Sequence, residues 1–480
     1  MFLLLRPLLS GIFFAVAFPP FNLWPAAFVA SYLLFRSLLH QSFAYRFVAC
    51  LITALMMFSI TLHWSAIYVG AIPWIILAVG ESLLLLPLAF FSYERNIFSQ
   101  LTFASLFTLL EVLREKFPFG GFGWARLGFT QIDGIFQQLY PLGGTTLITF
   151  LIVFFGSSLG IERRKVQLTV AALSVILVGN IYERIVDDHQ RLDTVFKISA
   201  VQGGVTLGLD FNRTAQEVFH LHDATTVKFG TSVQGSAFIL WPENSVDIDP
   251  FSNPKILFDL EDRARLTQTS LIIGAVLNDN GLRNASLLIS GEKDPSIIRR
   301  YYKNDLAPFG EYIPLRGLAE KISPYAREVI DFQPGDRHAI FRPNGIPVAP
   351  LICFEVLDDH YVASAARDAS VLAIQTNNAT FGRSPEAIQQ FLINRVRAYE
   401  LRKPAAVAST TGITAIVDTK GKVIDSVAQF DAGVATGDVQ PTRYVTLRAR
   451  FPYASEILIA AVFIFSFTRR RKPWMPHVAA

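Results

Sequence analysis

The chain has 480 residues, of which 51% are hydrophobic and 17% are charged. Soluble proteins typically carry roughly 25% charged residues, so much of this chain's surface must face a non-aqueous environment. The net charge of +4 is small, and the basic residues stand mostly at the ends of apolar runs. That placement argues against a nucleic-acid partner and fits the charge pattern of a membrane protein.

The cysteine and histidine patterns point away from disulfides and metals. The chain has two cysteines, Cys50 in the apolar run FVACLITALMMF and Cys353 far along the chain. We therefore expect no disulfide framework and no cysteine-based zinc site. The eight histidines show no HExxH or similar ligand spacing, so we expect neither a catalytic metal nor another cofactor.

Apolar stretches of the length that crosses a bilayer, roughly 17–25 residues, dominate the first part of the chain. We predict seven spans, near 2–18, 23–39, 45–67, 72–91, 98–115, 140–158 and 166–182. An eighth lies at 455–467, directly before Arg469, Arg470, Arg471 and Lys472. The predicted regions are a membrane bundle (1–186), an extracytoplasmic domain (187–450), and a last span with a basic cytoplasmic tail (451–480).

Basic residues predict the orientation of these spans. Those after the second, fourth and sixth spans are Arg36, Arg46, Arg95, Arg163, Arg164 and Lys165. The connections after the first and third spans carry none, so the positive-inside rule makes the even-numbered connections cytoplasmic. Region 187–450 then lies outside the cell membrane. The loop after the fifth span is an exception, with Arg114, Lys116 and Arg126 predicted outside.

The first apolar run has a second interpretation. Residues 1–17 would serve as a cleaved signal peptide if Ala15-Val16-Ala17 were a cleavage site. The following FPPFNLWP is typical of a turn at the membrane interface, which favours a retained first span. Cleavage would not move the predicted extracytoplasmic domain.

From Asp187 onward, β-branched strands alternate with helix-forming segments, which is typical of an α/β domain. The predicted strands are 196–204, 236–243, 270–277, 346–355, 370–378 and 405–418. The predicted helices are 213–229, 254–267, 356–367 and 384–402. Continuous apolar strands indicate sheets that are covered on both faces.

Glu243 ends the apolar run of ILWPENS. A carboxylate just beyond a buried strand is partly desolvated, which suits a general base. The alternative is a strand-end glutamate in solvent or at a helix cap, and this segment alone does not decide between them.

Lys303 follows two aromatic residues in RYYKNDLAPFGEYIP, and Glu311 follows the Pro-Phe-Gly turn of the same segment. A lysine beside a nucleophile can stabilise a tetrahedral oxyanion as a fixed positive charge. The simpler interpretation is a surface lysine whose aliphatic stem lies on apolar neighbours.

Cys353 stands in APLICFEV, between an apolar strand and an acidic helix start with Glu355, Asp358 and Asp359. A strand-to-helix elbow would expose the thiol and place it at a helix N-terminus, which favours the thiolate. The backbone N–H of Phe354 would then point to an oxyanion. The alternative is a buried structural cysteine, although an unpaired cysteine outside the cell risks oxidation.

Together the three segments resemble the carbon-nitrogen hydrolase (nitrilase) superfamily, whose catalytic set is a glutamate, a lysine and a cysteine in that order. Within it, the chain is similar to the apolipoprotein N-acyltransferase family of bacterial membrane enzymes over nearly its whole length. The motifs that carry the resemblance are GIFFAVAFPPFNLWP, FPFGGFGWARLGFTQ, VQGG, LWPE, NAS, YYKNDLAPFGEYIP, ICFE, TNNATFG and RVRAYELRKP. The implied fold is a polytopic α-helical membrane bundle plus an α/β nitrilase-type domain, an α-β-β-α sandwich.

The resemblance implies a role for each of the three residues. Glu243 would be the general base, Lys303 the oxyanion stabiliser and Cys353 the nucleophile. The supporting positions that it implies are Glu311, as a second carboxylate beside the triad, and Asn284, Phe354 and Glu355.

The chain departs from the family pattern near these residues. Phe354 stands where many members have Tyr, and Asn378 and Thr380 replace the Asp and Trp of an NDAWFG segment. Thr411 replaces an Asn before Gly412, and PTRYVTLRARFPYAS lacks the usual glycine-containing form. These changes concern acceptor binding and leave the triad intact.

The implied reaction is acyl transfer from a membrane phospholipid, through a Cys353 thioester, to the N-terminal amine of an S-diacylglyceryl-cysteine apolipoprotein. The implied protein is a monomer in a bacterial inner membrane. One rival is a membrane-tethered amidase or nitrilase that uses the same triad with water as the acceptor. A non-enzymatic membrane scaffold is a second rival, which the intact triad disfavours.

Aromatic and acidic residues give further candidates. The loop 113–139, with Trp124, would lie at the membrane interface beneath the domain or simply anchor it. Trp241 and Pro242 would form a wall of the substrate entrance, as would Trp124. Glu81, inside the fourth span, is a functional candidate or a satisfied packing contact.

Overall fold

The computed structural model describes residues 2–159, 165–190, 194–208, 215–292 and 295–470. The predicted basic positions that lie outside these ranges are Arg163, Arg164, Arg471 and Lys472.

The chain forms two compact units. The membrane unit comprises Met1–His63, Trp74–Ile181 and Tyr453–Ala480. The α/β unit comprises Trp64–Pro73 and Tyr182–Pro452. The short segment Trp64–Pro73, which connects two membrane helices, therefore belongs to the same unit as the strands.

Each predicted span before residue 187 contains an apolar helix. The helices are α1 (Phe2–Val16), α2 (Ala26–Leu38), α3 (Phe43–Thr61), α4 (Ala71–Leu83), α5 (Ile97–Lys116), α6 (Tyr140–Ser158) and α7 (Lys165–Gln190). Helical backbone satisfies its own hydrogen bonds, which a bilayer requires of any segment that spans it. α3 ends at Thr61 rather than at the predicted 67, and α7 continues beyond 182 into the α/β unit.

Some of these helices are long and apolar enough to cross a membrane. Among the described residues, the stretches of this kind are Phe43–Thr61, Ala71–Phe90, Ile97–Lys116, Gln137–Ser158 and Val166–Ile185. α1 and α2 are apolar but shorter. The predicted membrane character of the N-terminal part is thus present in the helices themselves.

The α/β unit contains two sheets and several helices. The helices are α8 (Ala215–Lys228), α9 (Gly230–Val233), α10 (Pro254–Thr267), α11 (Arg316–Ile322), α12 (Asp359–Arg367), α13 (Glu386–Leu401) and α14 (Leu447–Arg450). The strands are β1 (Phe196–Gln202), β2 (Phe238–Leu240), β3 (Ser270–Asn278), β4 (Leu282–Ile289), β5 (Ile297–Tyr302), β6 (Val348–Ile352), β7 (Val371–Thr376), β8 (Ala405–Ser409), β9 (Thr414–Val417), β10 (Val423–Val427) and β11 (Gly433–Val439). The chain then returns to the membrane unit in α15 (Ala454–Arg470).

The strands form a six-stranded sheet in the order β11-β1-β2-β3-β4-β5 and a five-stranded sheet in the order β10-β9-β8-β7-β6. Side chains from both sheets meet in one buried cluster, for example Leu240 and Ile272 with Ala373 and Ala406. The sheets therefore pack face to face.

Helices cover the other face of each sheet. Ile273 and Leu287 pack against Phe219 of α8 and Leu260 of α10 in a second buried cluster. α12 and α13 contact β6 and β8 of the five-stranded sheet. This arrangement confirms the predicted α-β-β-α sandwich and explains why its strands are apolar along their whole length.

The segment Trp64–Pro73 is attached to the α/β unit by specific contacts. The indole N–H of Trp64 donates to Gln389 Oε1 at 3.1 Å, and its ring meets Phe381 edge-on at 5.1 Å. A Cβ at Gly382 would lie 2.8 Å from the hydroxyl oxygen of Tyr68. This connection between α3 and α4 therefore supports the start of α13.

Two buried arginines of the membrane unit, Arg114 and Arg126, are paired with glutamates. Glu81 on α4 lies 2.6 Å from Arg114 on α5, and both side chains are almost fully buried. Arg114 also donates to the carbonyl oxygens of Phe122, at 3.0 Å, and Trp124, at 2.7 Å. Glu81 is thus a satisfied packing contact, one of its two predicted roles.

A second set of contacts holds the rest of the same loop. Arg126 pairs with Glu115 and donates to Thr146 Oγ1 at 3.1 Å. Glu111 accepts from the Leu127 N–H at 2.9 Å. The basic residues that departed from the positive-inside pattern, Arg114 and Arg126, are therefore buried partners of glutamates that tie the loop after α5 to its helices.

We expect Glu81→Ala to destabilise the membrane unit, because it leaves the Arg114 guanidinium buried without its carboxylate. Breaking a buried pair in this way typically costs about 3–5 kcal/mol. The thermal unfolding midpoint of the detergent-solubilised protein should fall clearly, and Glu94→Ala, at an exposed position, should leave it almost unchanged. Equal midpoints for the two variants would contradict the proposed importance of the pair.

Candidate active site

The predicted triad residues follow strand ends that share an edge of the α/β unit. Glu243 comes shortly after β2 and Lys303 directly after β5, while Asn284 lies near the start of β4. β2 and β3 are parallel, and β4 and β5 each run antiparallel to the preceding strand. These three residues therefore fall on one edge of the six-stranded sheet.

Lys303 lies between two carboxylates. Its Nζ is 3.1 Å from Glu243 Oε1 and 2.8 Å from Glu311 Oε2. Asn284 Nδ2 donates to the same Glu243 oxygen at 2.8 Å and to Glu311 Oε1 at 2.7 Å. The structure thus brings together four of the predicted site residues.

The charge on Lys303 is fixed by these neighbours. Burial alone would lower the pKa of Lys303, but the nearby groups Glu243, Glu311 and Cys353 together raise this pKa well above its ordinary value. The side chain is 1% exposed, so a permanent positive charge sits inside the protein. Such a charge is suited to stabilising an oxyanion.

A close backbone approach positions Glu243. Gly274 on β3 lies beside it, and a Cβ at this glycine would be 2.6 Å from the Cα of Glu243. Only a residue without a side chain leaves room for Glu243 here.

Cys353 occupies a strained elbow. It follows β6 and begins a short 3₁₀ helix, Cys353–Leu357, with a φ of 51°. A left-handed conformation at a non-glycine residue costs on the order of 1–3 kcal/mol and is often found at functional sites. The predicted strand-to-helix elbow is therefore present.

Glu355 holds the elbow from within. Its carboxylate accepts from the backbone N–H of Ile352 at 2.7 Å, from that of Asn304 at 2.8 Å, and from the Tyr301 hydroxyl. Burial raises the pKa of Glu355 to about 8 despite these donors. Glu355 thus connects the strand before the cysteine with the segment that carries Lys303.

The pKa of the Cys353 thiol is shifted in the direction opposite to the one expected for a thiolate. Burial raises the pKa of Cys353 well above its ordinary value, and the charge of Glu243 adds to this, whereas Lys303 opposes it. The prediction that a helix start favours the thiolate is wrong for this short 3₁₀ turn, because desolvation outweighs it. A raised pKa favours the neutral thiol, so a base would assist its ionisation.

α13 supplies two residues that sequence reasoning missed. Gln390 Nε2 donates to the sulfur of Cys353 at 3.4 Å. Glu386, one turn earlier on the helix, accepts from Asn378 Nδ2 at 2.8 Å, and burial raises the pKa of Glu386 to about 8. Their spacing of four within the predicted helix 384–402 puts both on one face, which was the available signal.

Asp247 is a further acid beside Glu243. Its carboxylate accepts from Asn244 Nδ2 at 2.9 Å. Burial raises the pKa of Asp247 to about 7, the Asn244 hydrogen bond opposes this, and the charge of Glu243 adds to it. The surroundings of Glu243 are therefore more acidic than the predicted residues alone indicated.

The structure buries both predicted entrance residues, Trp241 and Trp124. Trp241 is completely buried, and its indole N–H donates to Thr226 Oγ1 at 3.0 Å within the helix-covered core. Trp124 is also buried, in the membrane unit, where it stacks on Phe122. Phe117 and Phe119 are the exposed aromatic residues of that loop.

A sequence model of the carbon-nitrogen hydrolase family matches residues 209–449, which is just over half of the chain. The chain belongs to the carbon-nitrogen hydrolase family. A second model, the apolipoprotein N-acyltransferase N-terminal domain, matches residues 10–158. The predicted resemblance is thereby confirmed in both units.

Relatives named apolipoprotein N-acyltransferase match this hydrolase-family chain over nearly its whole length. The protein from Vibrio cholerae is 28% identical, over 98% of this chain and 98% of its own. That from Haemophilus ducreyi is 29% identical, over 96% of each. That from Mycolicibacterium smegmatis is 28% identical, over 94% of this chain and 82% of its own.

Solved structures resemble part of the chain at low sequence identity. An amidase of the nitrilase superfamily from Nesterenkonia AN1 is 16% identical, covers 56% of this chain and 99% of its own, and gives a TM-score of 0.42.

The raised pKa of Glu386 predicts a pH effect on stability. Its pKa rises on folding from an ordinary 4.5 to about 8, so the folded state binds this proton more tightly. The stability that it contributes is complete at low pH and is lost as the pH rises across that interval, by up to about 1.4 kcal/mol per pH unit.

Unfolding midpoints between pH 5 and pH 8 should therefore decrease less steeply in Glu386→Gln than in the unaltered protein. Glu217→Gln, at an exposed position, should retain the original slope. Identical slopes for all three proteins would show that Glu386 does not titrate in this range.

Proposed function

We propose that the protein transfers a fatty acyl chain from a membrane phospholipid to the N-terminal amine of S-diacylglyceryl-cysteine apolipoproteins. The observation that carries the proposal is the buried Lys303, paired with Glu243 and Glu311 and electrostatically coupled to Cys353. This set belongs to a chain whose other unit consists of apolar helices. It offers a nucleophile, a base and a fixed cation to a substrate that resides in lipid.

In the first half-reaction, Glu243 takes the proton of the Cys353 thiol. The resulting thiolate attacks the ester carbonyl of the phospholipid. Lys303 and the backbone N–H of Phe354 stabilise the negative charge on the carbonyl oxygen. The carbon–oxygen bond to the glycerol then breaks, the leaving oxygen takes the proton from Glu243, and a lysophospholipid departs from the Cys353 thioester.

In the second half-reaction, the free amine of the apolipoprotein attacks the thioester. Glu243 accepts a proton from the attacking nitrogen, and the same oxyanion contacts act again. The carbon–sulfur bond breaks, the sulfur recovers a proton, and the N-acylated lipoprotein leaves. One base and one cation therefore serve both steps, which predicts ping-pong kinetics.

The proposed topology places the α/β unit outside the cytoplasmic membrane. The segment Trp64–Pro73 follows α3, and Tyr182–Pro452 begins at the end of the seventh predicted span, yet both belong to one compact unit. Two connections on the same side must be separated by an even number of spans, as these are. The basic residues of the even-numbered connections support an outside location.

The proposed partners are a phospholipid donor and a lipoprotein acceptor, and the proposed working form is a monomer. Phe117 and Phe119 remain exposed on the loop after α5. Exposed aromatic side chains beside membrane helices are suited to the lipid interface, so we propose that this loop lies there.

We expect purified protein incubated with phospholipid to acquire a fatty acyl thioester at Cys353, detected by mass spectrometry of the peptide that contains it. Cys353→Ala should show no adduct. Lys303→Met should form it roughly 10²–10³-fold more slowly, because removal of one oxyanion contact typically has this effect.

Adding a diacylglyceryl-modified peptide with a free amine should discharge the thioester into an N-acyl product, whereas an N-acetylated peptide should not. Discharge to water at the same rate with either peptide would support the rival amidase. Failure to form any adduct would rule out the proposed covalent route.

The topology predicts accessibility to a membrane-impermeant maleimide on intact spheroplasts. Ser252→Cys, at an exposed position of the α/β unit, should be labelled in intact cells. Glu94→Cys, in the fourth connection, should be labelled only after the membrane is broken. The opposite pattern would reverse the proposed orientation.

A further inference from the structure

A chain of hydrogen bonds with a fixed direction leads to the sulfur of Cys353. It begins at the backbone N–H of Gly412, which donates to Ser409 Oγ at 2.8 Å. Because that hydroxyl oxygen already accepts a hydrogen bond from the backbone, it donates its own hydrogen to Asn378 Oδ1. Thr376 Oγ1 donates to the same oxygen at 3.1 Å.

These two hydroxyl donors determine the orientation of the Asn378 amide. Its oxygen faces Ser409 and Thr376, so its NH₂ group faces α13. One N–H donates to Glu386 Oε2 at 2.8 Å and the other to Gln390 Oε1 at 2.7 Å.

The orientation of Asn378 in turn determines that of Gln390. Because Gln390 Oε1 accepts from Asn378, the Gln390 NH₂ group must point the other way, where it lies 3.4 Å from Cys353 Sγ. The sulfur therefore faces an N–H donor. The backbone N–H of Gly412 thus determines, through the side chains of Ser409, Asn378 and Gln390, that an N–H donor faces the sulfur of Cys353.

We propose that Gln390 is a catalytic residue that stabilises the Cys353 thiolate through this N–H, and that Asn378 is the positioning residue that keeps the donor directed at the sulfur. The proposal rests on the proposed role of Cys353 as nucleophile. It adds a hydrogen bond to the sulfur, independent of the positive charge on Lys303.

The groups around the sulfur explain why such a donor matters. Glu243 and Glu386 both raise the pKa of Cys353, and Lys303 and the Gln390 hydrogen bond lower it. A hydrogen bond donated to a charged group is stronger than one between neutral groups. The Gln390 contact thus gains strength as the thiolate forms.

The packing around this chain of hydrogen bonds leaves little room for larger residues. A Cβ at Gly412 would lie 2.6 Å from Ser409 Oγ. All of the side chains in this chain of hydrogen bonds are buried: Asn378, Glu386, Gln390, Ser409 and Thr376. Water therefore cannot easily replace a missing partner.

Asn378→Asp is the most direct test, because it keeps the shape and removes the NH₂ group. An aspartate there accepts hydrogen bonds only, so the Gln390 amide must turn its NH₂ group to Asp and its oxygen to the sulfur. Gln390→Met removes the donor while leaving Asn378 and Glu386 in place.

The measurement is the pH dependence of iodoacetamide alkylation of Cys353 in the full-length, detergent-solubilised protein, followed on the Cys353 peptide by mass spectrometry. It needs neither acyl donor nor acceptor, so it remains informative even if the proposed reaction fails. We expect the profiles of Asn378→Asp and Gln390→Met to move to higher pH by roughly one unit, equivalent to about a tenfold loss of thiolate.

Two further variants distinguish the donor from a general effect on structure. Glu386→Gln should move the profile in the opposite direction, to lower pH, because it removes a negative charge that opposes the thiolate. Asn253→Asp makes the same chemical change at the start of α10, where an aspartate also caps the helix, and should leave the profile unchanged.

Acylation kinetics provide a second readout. Thioester formation in Asn378→Asp should slow roughly tenfold at saturating phospholipid, with little change in the concentration that gives half the maximal rate. If Asn378→Asp does not fold, as judged by its melting curve, Gln390→Met alone decides. An alkylation profile of Gln390→Met identical to that of the unaltered protein would overturn the proposal.

Discussion

The buried ammonium group of Lys303 is the constraint on which the arrangement of the site depends. A single charge removed from water is costly unless partners replace its hydration. Glu243 and Glu311 replace the lost hydration of the ammonium group. Asn284 donates a hydrogen bond to each carboxylate, which offsets part of the repulsion between the two carboxylates. Once this set is in place, the position of the base and the field at Cys353 are determined together.

In the membrane unit, two buried arginines also have partners, but there the pairs hold a loop in place. Arg114 and Arg126 are buried among apolar helices, and each has a glutamate partner as well as oxygen acceptors. The pairs fix a loop, so that its carbonyl groups and aromatic side chains take one conformation instead of many.

The sequence allowed much of this to be predicted, and the failures have physical reasons. The helix 254–267 was predicted with its observed bounds, because Asn253 caps it and a proline opens it. The predicted strand 405–418 is two antiparallel strands joined by a turn, since an apolar run does not reveal where the chain reverses. The loop position of Trp124 suggested exposure, but contacts distant in sequence decide burial.

In the site, too, some residues could be predicted from the sequence and others could not. Glu243, Lys303 and Cys353 could be named because each ends an apolar run with a reactive group, whereas Gln390 and Asn378 act through the orientation of their amide groups. Orientation depends on partners such as Ser409, which no local pattern identifies. The substitution of Asn for Asp at 378 was visible in the sequence, but its consequence for the sulfur required the geometry.

The contribution of Trp64–Pro73 has a consequence for how the protein can be divided. A fragment that starts after α7 would lack the indole that holds Gln389 and the tyrosine that rests on Gly382. The helix that presents Gln390 would lose support supplied by an early part of the chain. The α/β unit therefore includes a piece of chain that lies between α3 and α4, and a fragment that begins after α7 would be incomplete.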